Sequence, residues 1–396
     1  MRFKKYIKCL ISTLVVLTIV LGLTCCGKSK TEQQDEAIKE NKDTTSENNS
    51  NEIPYEDLKI GRIITGKSTD TSGYTFAHVS GMKKAATNLG IKESNIIFKD
   101  NTIHNYNDET DALSEKAIQE CIDSGCKVIF SMSSEVAMKK MAEKNPNVYF
   151  AHALGSLANG SNFINYFGRI YQARYLSGIA AGLKTKTNKI GYVSAWGTEN
   201  SECTGGINAF AMGVASVNPN AKVYVRTTNS WYDEKLEKEA AQWLISHGAD
   251  VIAQHCDTPQ PQIAAQEAGV YGIGYNSDMS NEAPKATLLS VVWDWSAFYT
   301  WAVQSVVENK WDGKNYFGGI KEGMVSITDL ASFNDPNAAA KIKEATDKMT
   351  SGSWDVFQDV IPTNTGATVG TAGQPLDDDT IQFKINWYYK NVKAVN

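Results

Sequence analysis

The chain has 396 residues, with 39 lysines and arginines against 44 aspartates and glutamates, so its formal net charge at pH 7 is −5. This acidic balance argues against nucleic acid or an anionic lipid surface as a partner recognised by charge. The part that follows a polar N-terminal stretch, roughly 340 residues, is long enough for two ordinary domains.

The N-terminus has the pattern of an export signal. Four basic residues precede an apolar run at residues 10–23, which is too short for a comfortable membrane span. The run ends in Leu23-Thr24-Cys25-Cys26-Gly27, which resembles a bacterial lipobox, whose last cysteine is lipidated after cleavage. Cys26 fits best, and Cys25 or an uncleaved anchor helix are the alternatives. We therefore predict a lipoprotein signal peptide at residues 1–25 and a lipid anchor that holds the protein on the extracytoplasmic side of the cell membrane.

Residues 26–53 follow as a predicted disordered tether. The segment is almost purely polar and offers very little that could enter a core. A flexible coil of this length would let a globular body reorient above a partner in the membrane.

The stretch GRIITGKST at residues 61–69 matches the P-loop expression G-x-x-x-x-G-K-[ST]. A phosphate loop places its variable positions after a strand, with the lysine at the start of a helix. Here residues 58–65 are typical of the strand itself, and the next helical pattern starts only near Thr75. We therefore predict that this match does not bind nucleotide.

The body alternates apolar β-branched runs with helical patterns from end to end. The alternation predicts an α/β fold with doubly wound parallel sheets and right-handed crossovers. The predicted strands are residues 60–65, 95–99, 128–131, 148–151, 190–195, 222–227, 251–254, 271–275 and 286–292, and the helices between them include 111–123 and 234–247.

Ligands of open parallel sheets bind beyond the carboxyl ends of the strands, so the residues after each strand are the candidates for a binding site. Aromatic, amide and carboxyl side chains are frequent there, which suits a flat ligand that forms hydrogen bonds. The candidate ligand-binding residues are Tyr74, Trp196, Glu202, Trp231, Asp257, Asn276, Asp278 and Trp293.

Sequence motifs for catalysis or for metal binding are not found. There is no G-x-S-x-G or H-E-x-x-H motif, and the cysteines and histidines lack zinc spacing, so we expect no enzyme, no metal and no cofactor. His255 and Asp257 could act as a general base and the residue that orients it. A buried histidine beside a ligand-binding aspartate is the better interpretation. Disulfides between Cys121 and Cys126, or between Cys203 and Cys256, are left open by the sequence.

The body resembles the basic membrane protein (BMP) family of ABC-transporter substrate-binding lipoproteins, in particular the purine-binding subgroup related to the purine-nucleoside receptors. The resemblance runs from about residue 59 to residue 389 and rests on blocks that occur in the family's order. These blocks are GYTFAHVSGMKKA, YFGRIYQARYLSGIAAG, NKIGYVSA, GINAFAMGVASVNP, NSWYD, GADVIAQHCDTP, GVYGIGYNSDMS and WDW.

The resemblance implies a type I periplasmic-binding-protein fold, in which two doubly wound lobes are joined by three crossovers and close on the ligand. Lobe 1 would comprise residues 54–165 plus about 293–320, and lobe 2 residues 166–292 plus about 321–396. The resemblance also implies the roles of site residues. Tyr74 and either Trp196 or Trp231 would sandwich a purine, with Asp257 and Asp278 as hydrogen-bond acceptors.

Three positions depart from the family pattern. Tyr74 stands where the family commonly has tryptophan, Asn276 where it has aspartate, and Gly205 where it has arginine. The relatives that bind nucleosides also tend to have a lysine after the last crossover strand, where this chain has Trp293-Asp294-Trp295. These departures favour a free base such as adenine or hypoxanthine over its nucleoside.

Three functional hypotheses follow. The first is an extracytoplasmic capture subunit that delivers a purine base or nucleoside to an ABC permease and acts as a monomer. The second is a lipoprotein of the same fold that senses a ligand and signals through a membrane partner. The third is a secreted nucleoside hydrolase.

Overall fold

The computed structural model describes residues 54–103 and 108–395, which belong to one compact unit. The predicted signal peptide, Cys26 and the tether lie outside the described residues. Within the described segments no helix combines the length and the apolar character needed to cross a membrane.

The first sheet has six strands, and every neighbouring pair is parallel. Its strands are β1 Ile60–Ile63, β2 Ile96–Lys99, β3 Val128–Ser131, β4 Tyr149–Ala153, β5 Phe163–Gly168 and β11 Tyr316–Gly318, in the spatial order β11-β5-β4-β3-β1-β2. Strands β1, β3 and β5 are buried along their whole length, including the polar side chains of Arg62, Ser131 and Asn165.

The second sheet has seven strands. They are β6 Lys189–Ser194, β7 Lys222–Thr227, β8 Val251–His255, β9 Tyr271–Asn276, β10 Thr287–Trp293, β12 Val325–Ile327 and β15 Val392–Ala394, in the order β12-β10-β9-β8-β6-β7-β15. The neighbours are parallel except β10 and β12, which pair antiparallel. A separate small hairpin joins β13 Ile361–Pro362 to β14 Thr368–Val369.

Helices occupy most of the connections between the strands, as the alternating pattern predicts. They are α1 Gly73–Leu89, α2 Asp108–Asp123, α3 Glu135–Lys144, α4 Ile170–Lys184, α5 Ser201–Val217, α6 Glu234–Ser246, α7 Gln260–Glu267, α8 Trp295–Val307, α9 Ala338–Ser351 and α10 Asp378–Phe383. Several of these helices have an N-cap residue whose side chain accepts a hydrogen bond from an N–H group of the first turn. For example, the carboxylate of Asp233 accepts from the N–H groups of Lys235 and Leu236 at the start of α6.

The chain passes between the two sheets three times. It leaves the first sheet after β5 and enters α4, which packs on β10 and β12 of the second sheet. It returns after β10 through α8, which packs on α1, and it crosses again between β11 and β12. These three crossovers and the parallel sheets confirm the predicted fold class, while the exact lobe boundaries stay a prediction.

The P-loop match falls on β1, as predicted. Gly61 and Arg62 are strand residues, Arg62 is fully buried, and α1 begins only at Gly73. A side chain on Gly61 would press on Cys121, so this glycine serves close packing rather than a phosphate cradle.

The four cysteines that lie in described segments are buried free thiols. Cys121 and Cys126 flank the end of α2, and the N–H of Cys126 donates to the carbonyl of Cys121 at 3.0 Å. Gly125 between them has a φ of 86°, the left-handed conformation that commonly ends a helix.

Candidate functional site

A cavity of about 320 Å³ lies where the carboxyl ends of the two sheets face each other. Both sheets contribute to its wall, which is the position that the strand-end rule predicts for a ligand. The lining residues are Thr65, Tyr74, Thr75, Met132, Ser133, His152, Ala153, Leu154, Glu202, Trp231, Asp257 and Tyr275.

Tyr74 is positioned by an aromatic cluster at the start of α1. Its ring meets the ring of His78 edge-on, with the centroids 4.4 Å apart, and the ring of Trp295 at 6.0 Å. His78 in turn stacks on Trp295 at 3.9 Å, and its Nδ1 lies 2.6 Å from the hydroxyl of Tyr299. Because these partners are buried, the Tyr74 ring has a fixed support on the side away from the cavity.

The second sheet supplies the opposite aromatic wall. Trp231 follows β7, and its ring lies 5.9 Å from that of His255, which meets the ring of Tyr275 edge-on at 4.8 Å. The guanidinium of Arg174, from α4, covers the Tyr275 ring at 4.0 Å. An aromatic residue from each sheet therefore faces the same cavity.

Asp257 is oriented by two residues behind it. Its Oδ1 accepts from Nδ2 of Asn276 at 2.7 Å, and Oδ1 of Asn276 accepts from Nε1 of Trp293 at 3.2 Å. The indole has only a donor, so it determines which way the Asn276 amide is turned. Asn276 also has a φ of 67°, a conformation that asparagine tolerates better than most residues.

Glu202 stands in the first turn of α5, and the side chain of Asn200 caps that helix. Its Oε1 lies 3.4 Å from Nε2 of the fully buried His255. Burial raises the pKa of Glu202 to about 7; the charge of Arg174 opposes this rise, and the charge of Asp257 adds to it. The site therefore holds a carboxyl group that titrates near neutral pH.

Asp257 titrates in the same range. Burial raises its pKa to about 7, the hydrogen bond from Asn276 lowers it, and the charge of Glu237 raises it. Burial and the nearby Arg174 charge lower the pKa of His255, so that histidine is neutral at pH 7. Two carboxyl groups with a pKa of about 7 thus lie beside aromatic rings that can stack on a ligand. This arrangement can bind a flat polar ring.

The predicted site residues separate into three groups. Tyr74, Glu202, Trp231 and Asp257 line the cavity, and Asn276 and Trp293 stand behind Asp257. The remaining two, Trp196 and Asp278, are not among the lining residues. Their proposed contacts stay predictions without support from the cavity.

The positions of those two residues explain the difference. Asp278 is exposed, and its carboxylate accepts from the N–H of Ser280 at 2.9 Å within the loop after β9. Trp196 is half-buried in the loop after β6, where its carbonyl accepts from the hydroxyl of Ser194. Both residues lie in loops that follow a strand, and sequence alone does not show which loop residues face a cavity.

Several lining residues were missed by the sequence analysis. Met132 and Ser133 follow β3, and His152 lies near the end of β4, so the strand-end rule would have found them if applied to those strands as well. Tyr275 is the last but one residue of β9 and has no sequence signal that separates it from a core tyrosine. Leu154 has a φ of 60°, a backbone conformation rare for leucine.

A search of the described residues for three or more histidine, cysteine, aspartate or glutamate side chains placed to hold a metal ion finds no such group.

Comparison with known proteins supports a binding function. The sequence profile of a family described as Bmp, ABC transporter substrate-binding protein PnrA-like, matches residues 58–355. The purine-binding protein of Brucella abortus is 32% identical over 340 residues, which cover 85% of this chain and 93% of that protein. A candidate ABC transporter glucose-binding protein of Haloferax volcanii is 37% identical over 233 residues, 58% of each chain.

A solved structure agrees with the fold. The ABC transporter solute-binding protein from Aeropyrum pernix superposes with a TM-score of 0.61 at 16% identity, covering 82% of this chain and 95% of that one. At this identity the likeness concerns the fold alone.

Proposed function

Because this chain belongs to the family of PnrA-like ABC transporter substrate-binding proteins, we propose that it captures a purine base in the cavity between its two sheets and delivers it to a membrane permease. The members of this family are substrate-binding proteins that work outside the cytoplasm with ABC transporters, and they are not enzymes. The nature of the ligand, the permease and the lipid anchor are the parts proposed here.

The observation that carries the proposal is that each wall of the cavity contributes an aromatic side chain and that two acidic side chains lie beside them. Tyr74 belongs to the wall of the first sheet and Trp231 to that of the second, while Asp257 and Glu202 supply hydrogen-bonding groups beside them. A planar base placed between the two aromatic rings would be stacked and would have its edge read by the carboxyl groups. The name of the Brucella relative agrees with a purine ligand.

A free base is favoured over a nucleoside because the cavity offers little for a ribose. Sugar hydroxyls are usually held by additional carboxylates or a lysine. Asp294, which follows β10, caps α8 and pairs with Lys84, so its carboxylate is already engaged. Within the cavity lining, the two carboxyl groups are those of Glu202 and Asp257.

The cellular setting follows from the N-terminal pattern. In this proposal Cys26 carries the lipid, residues 26–53 act as the tether, and the monomeric body meets the permease outside the membrane. The sensing function stays the alternative, since it would use the same cavity with a different partner.

Isothermal titration tests the ligand. Adenine, hypoxanthine, guanine, adenosine, inosine and glucose are titrated separately into the purified protein; glucose represents the ligand named for the Haloferax relative. We expect adenine or hypoxanthine to bind more tightly than either nucleoside, and glucose to give no heat. A clear preference for nucleosides would show that the sugar is recognised, and a response to glucose alone would contradict the purine proposal.

A further inference from the structure

Two carboxyl groups share one buried cavity without a lysine or arginine paired to either. Among the described residues, the ion-pair contact of Glu202 is with His255, at 3.4 Å, and Asp257 is bonded to the neutral amide of Asn276. Ionising both acids would place two like charges in a poorly solvated space. Near neutral pH we therefore expect one acid of the pair to stay protonated when the other is ionised.

The contacts indicate which acid holds that proton. The ionised form of Asp257 is stabilised by the N–H of Asn276 at 2.7 Å and by the backbone N–H of Tyr74. Glu202 receives one longer contact, from His255. Since hydrogen bonds to a carboxylate favour its charged form, Asp257 is the better anion and Glu202 the better neutral acid.

The tautomer of His255 determines which oxygen of Glu202 is free to carry a proton. Its Nδ1 is buried and has no hydrogen-bond partner among the described residues. A proton on Nδ1 would be an unsatisfied buried donor, so the proton belongs on Nε2, which then donates to Oε1 of Glu202. The second oxygen of Glu202 is left to carry the acid proton.

The other titratable groups around the pair are accounted for. Arg174, from α4, favours the ionised form of Glu202; it forms no ion pair with that acid among the described residues, and its Nη1 donates to the carbonyl of Gln254 while the guanidinium covers the Tyr275 ring. Further groups act on one acid of the pair or line the same cavity: Tyr74, Tyr192, Cys203 and Tyr275 around Glu202, Glu237 and Cys256 near Asp257, and His152 in the wall of the first sheet. Burial raises the pKa of these tyrosines and thiols and lowers that of His152, so the tyrosines, the thiols and His152 are neutral at pH 7, while the charge of Glu237 raises the pKa of Asp257.

We propose that Glu202 binds the ligand as a neutral acid that donates a hydrogen bond, while Asp257 binds it as a carboxylate that accepts one. This inference rests on the proposed function and names the hydrogen-bonding pattern that the site selects. The ligand is then a neutral nitrogen heterocycle with an unprotonated ring nitrogen and an N–H group. Adenine has both in its neutral form.

A proton-dependent affinity follows. The binding state has one proton on the pair, and both acids have a pKa of about 7 in the free protein. Above that pH Glu202 loses the proton that it must donate, and below it Asp257 gains a proton and loses its acceptor. Affinity should therefore be highest near pH 7 and fall by roughly tenfold per pH unit on each side.

Calorimetry of the full chain in mild detergent, with adenine as the probe, tests this at about pH 5.5, 7 and 8.5 in buffers of different ionisation enthalpy. At the highest pH we expect one proton to be taken up for each adenine bound. Glu202→Gln carries an amide that donates at every pH, so it should take up no proton there and bind adenine at least about tenfold more tightly than the unchanged chain. Glu199→Gln alters an exposed glutamate in the loop that precedes α5 and is the matched control, expected to keep the bell-shaped profile.

Adenine binding without proton uptake, or a Glu202→Gln profile equal to that of the unchanged chain, would overturn this inference and leave purine binding intact. The absence of heat with every purine at pH 7 would instead contradict the proposed function, and this inference with it. Proton uptake is measured on the unchanged chain, so the test does not depend on the variant being folded.

Discussion

Tyr74 is supported by neighbours that do not line the cavity. His78 and Trp295 support its ring from inside the protein, and Tyr299 holds His78 through a 2.6 Å contact. The two carboxyl groups depend on their surroundings in the same way, because Asn276 and His255 decide how each is oriented. Substitutions at this scale can therefore separate stacking, orientation and charge.

Tyr74→Ala should weaken adenine binding by about 1–3 kcal/mol, because the base loses one stacking surface. Tyr74→Phe keeps the ring and is expected to change the affinity much less. Titration calorimetry measures both, with thermal unfolding as a check that the two variants are folded. Equal affinities of the alanine variant and the unchanged chain would show that Tyr74 does not stack on the ligand.

Trp293→Phe should weaken binding by roughly 0.5–1.5 kcal/mol, since it removes the N–H that orients the Asn276 amide toward Asp257. Trp311→Phe, at a tryptophan outside the cavity lining, is the matched control. It makes the same chemical change at an indole whose Nε1 has no partner among the described residues. A loss of affinity as large in the control would mean that ring volume, not the hydrogen bond, is responsible.

The ligand-free protein should lose stability as pH rises from about 4.5 to about 7, because the pKa of Glu202 and that of Asp257 are higher in the folded protein than their ordinary values of 4.5 and 3.8. In that window the folded state binds more protons than the unfolded state, so the free energy of unfolding falls with pH and then levels off. Denaturant unfolding at pH 5 and pH 8 measures the difference. Glu202→Gln should reduce it, and an unchanged difference would contradict the raised pKa.

Helix ends show how local sequence determines an element. Helix α1 stops at Gly90, whose φ of 73° lies in the left-handed region and around which no atom would meet a Cβ. In α5, Gly205 sits in helical conformation with its nearest neighbour, Ile385, at an ordinary 3.5 Å. The same substitution at the two glycines should therefore act in opposite directions.

Gly90→Ala is expected to lower the free energy of unfolding by about 1 kcal/mol, because the left-handed backbone conformation is less favourable for alanine than for glycine. Gly205→Ala is expected to raise it by about 0.5–1 kcal/mol, because alanine has the higher helix propensity and fits the space. Urea unfolding of both variants measures the effects. Destabilisation at both positions would show that the space around Gly205 is tighter than the contact indicates.

The whole molecule combines a two-sheet body with three crossovers, an architecture in which the two halves can close on a ligand like a hinge. The cavity lies between the halves, so closure would bring Tyr74 toward Trp231. In the proposed function the body must also stay beside a membrane partner. The lipid anchor of the N-terminal segment would keep it there.

Cys26→Ser should release the protein from the membrane or block its maturation, because the serine hydroxyl cannot take the thioether-linked lipid. Fractionation of cells into membrane and soluble pools, followed by detection of the chain, gives the answer. Cys25→Ser is the paired control and is expected to leave membrane retention unchanged. Retention of the Cys26 variant together with release of the Cys25 variant would assign the lipid to Cys25.

The sequence by itself determined the fold class and most of the strands, since buried parallel strands and amphipathic helices leave periodic patterns in a single chain. It located β1 to within two residues and thereby excluded the P-loop interpretation. It missed the six-residue strand β5 and short strands such as β11 and β12; in the short strands, three residues carry too little pattern and depend on their neighbours in the sheet.

Only the tertiary structure decided which candidates share the cavity. Tyr74, Trp231, Asp257 and Glu202 are up to 183 positions apart, and whether the loops that follow their strands turn inward or outward is set by packing. The same holds for the charge of the site. A carboxyl group acquires a pKa near 7 through burial and through the neighbours it meets in space, which no local stretch of sequence records.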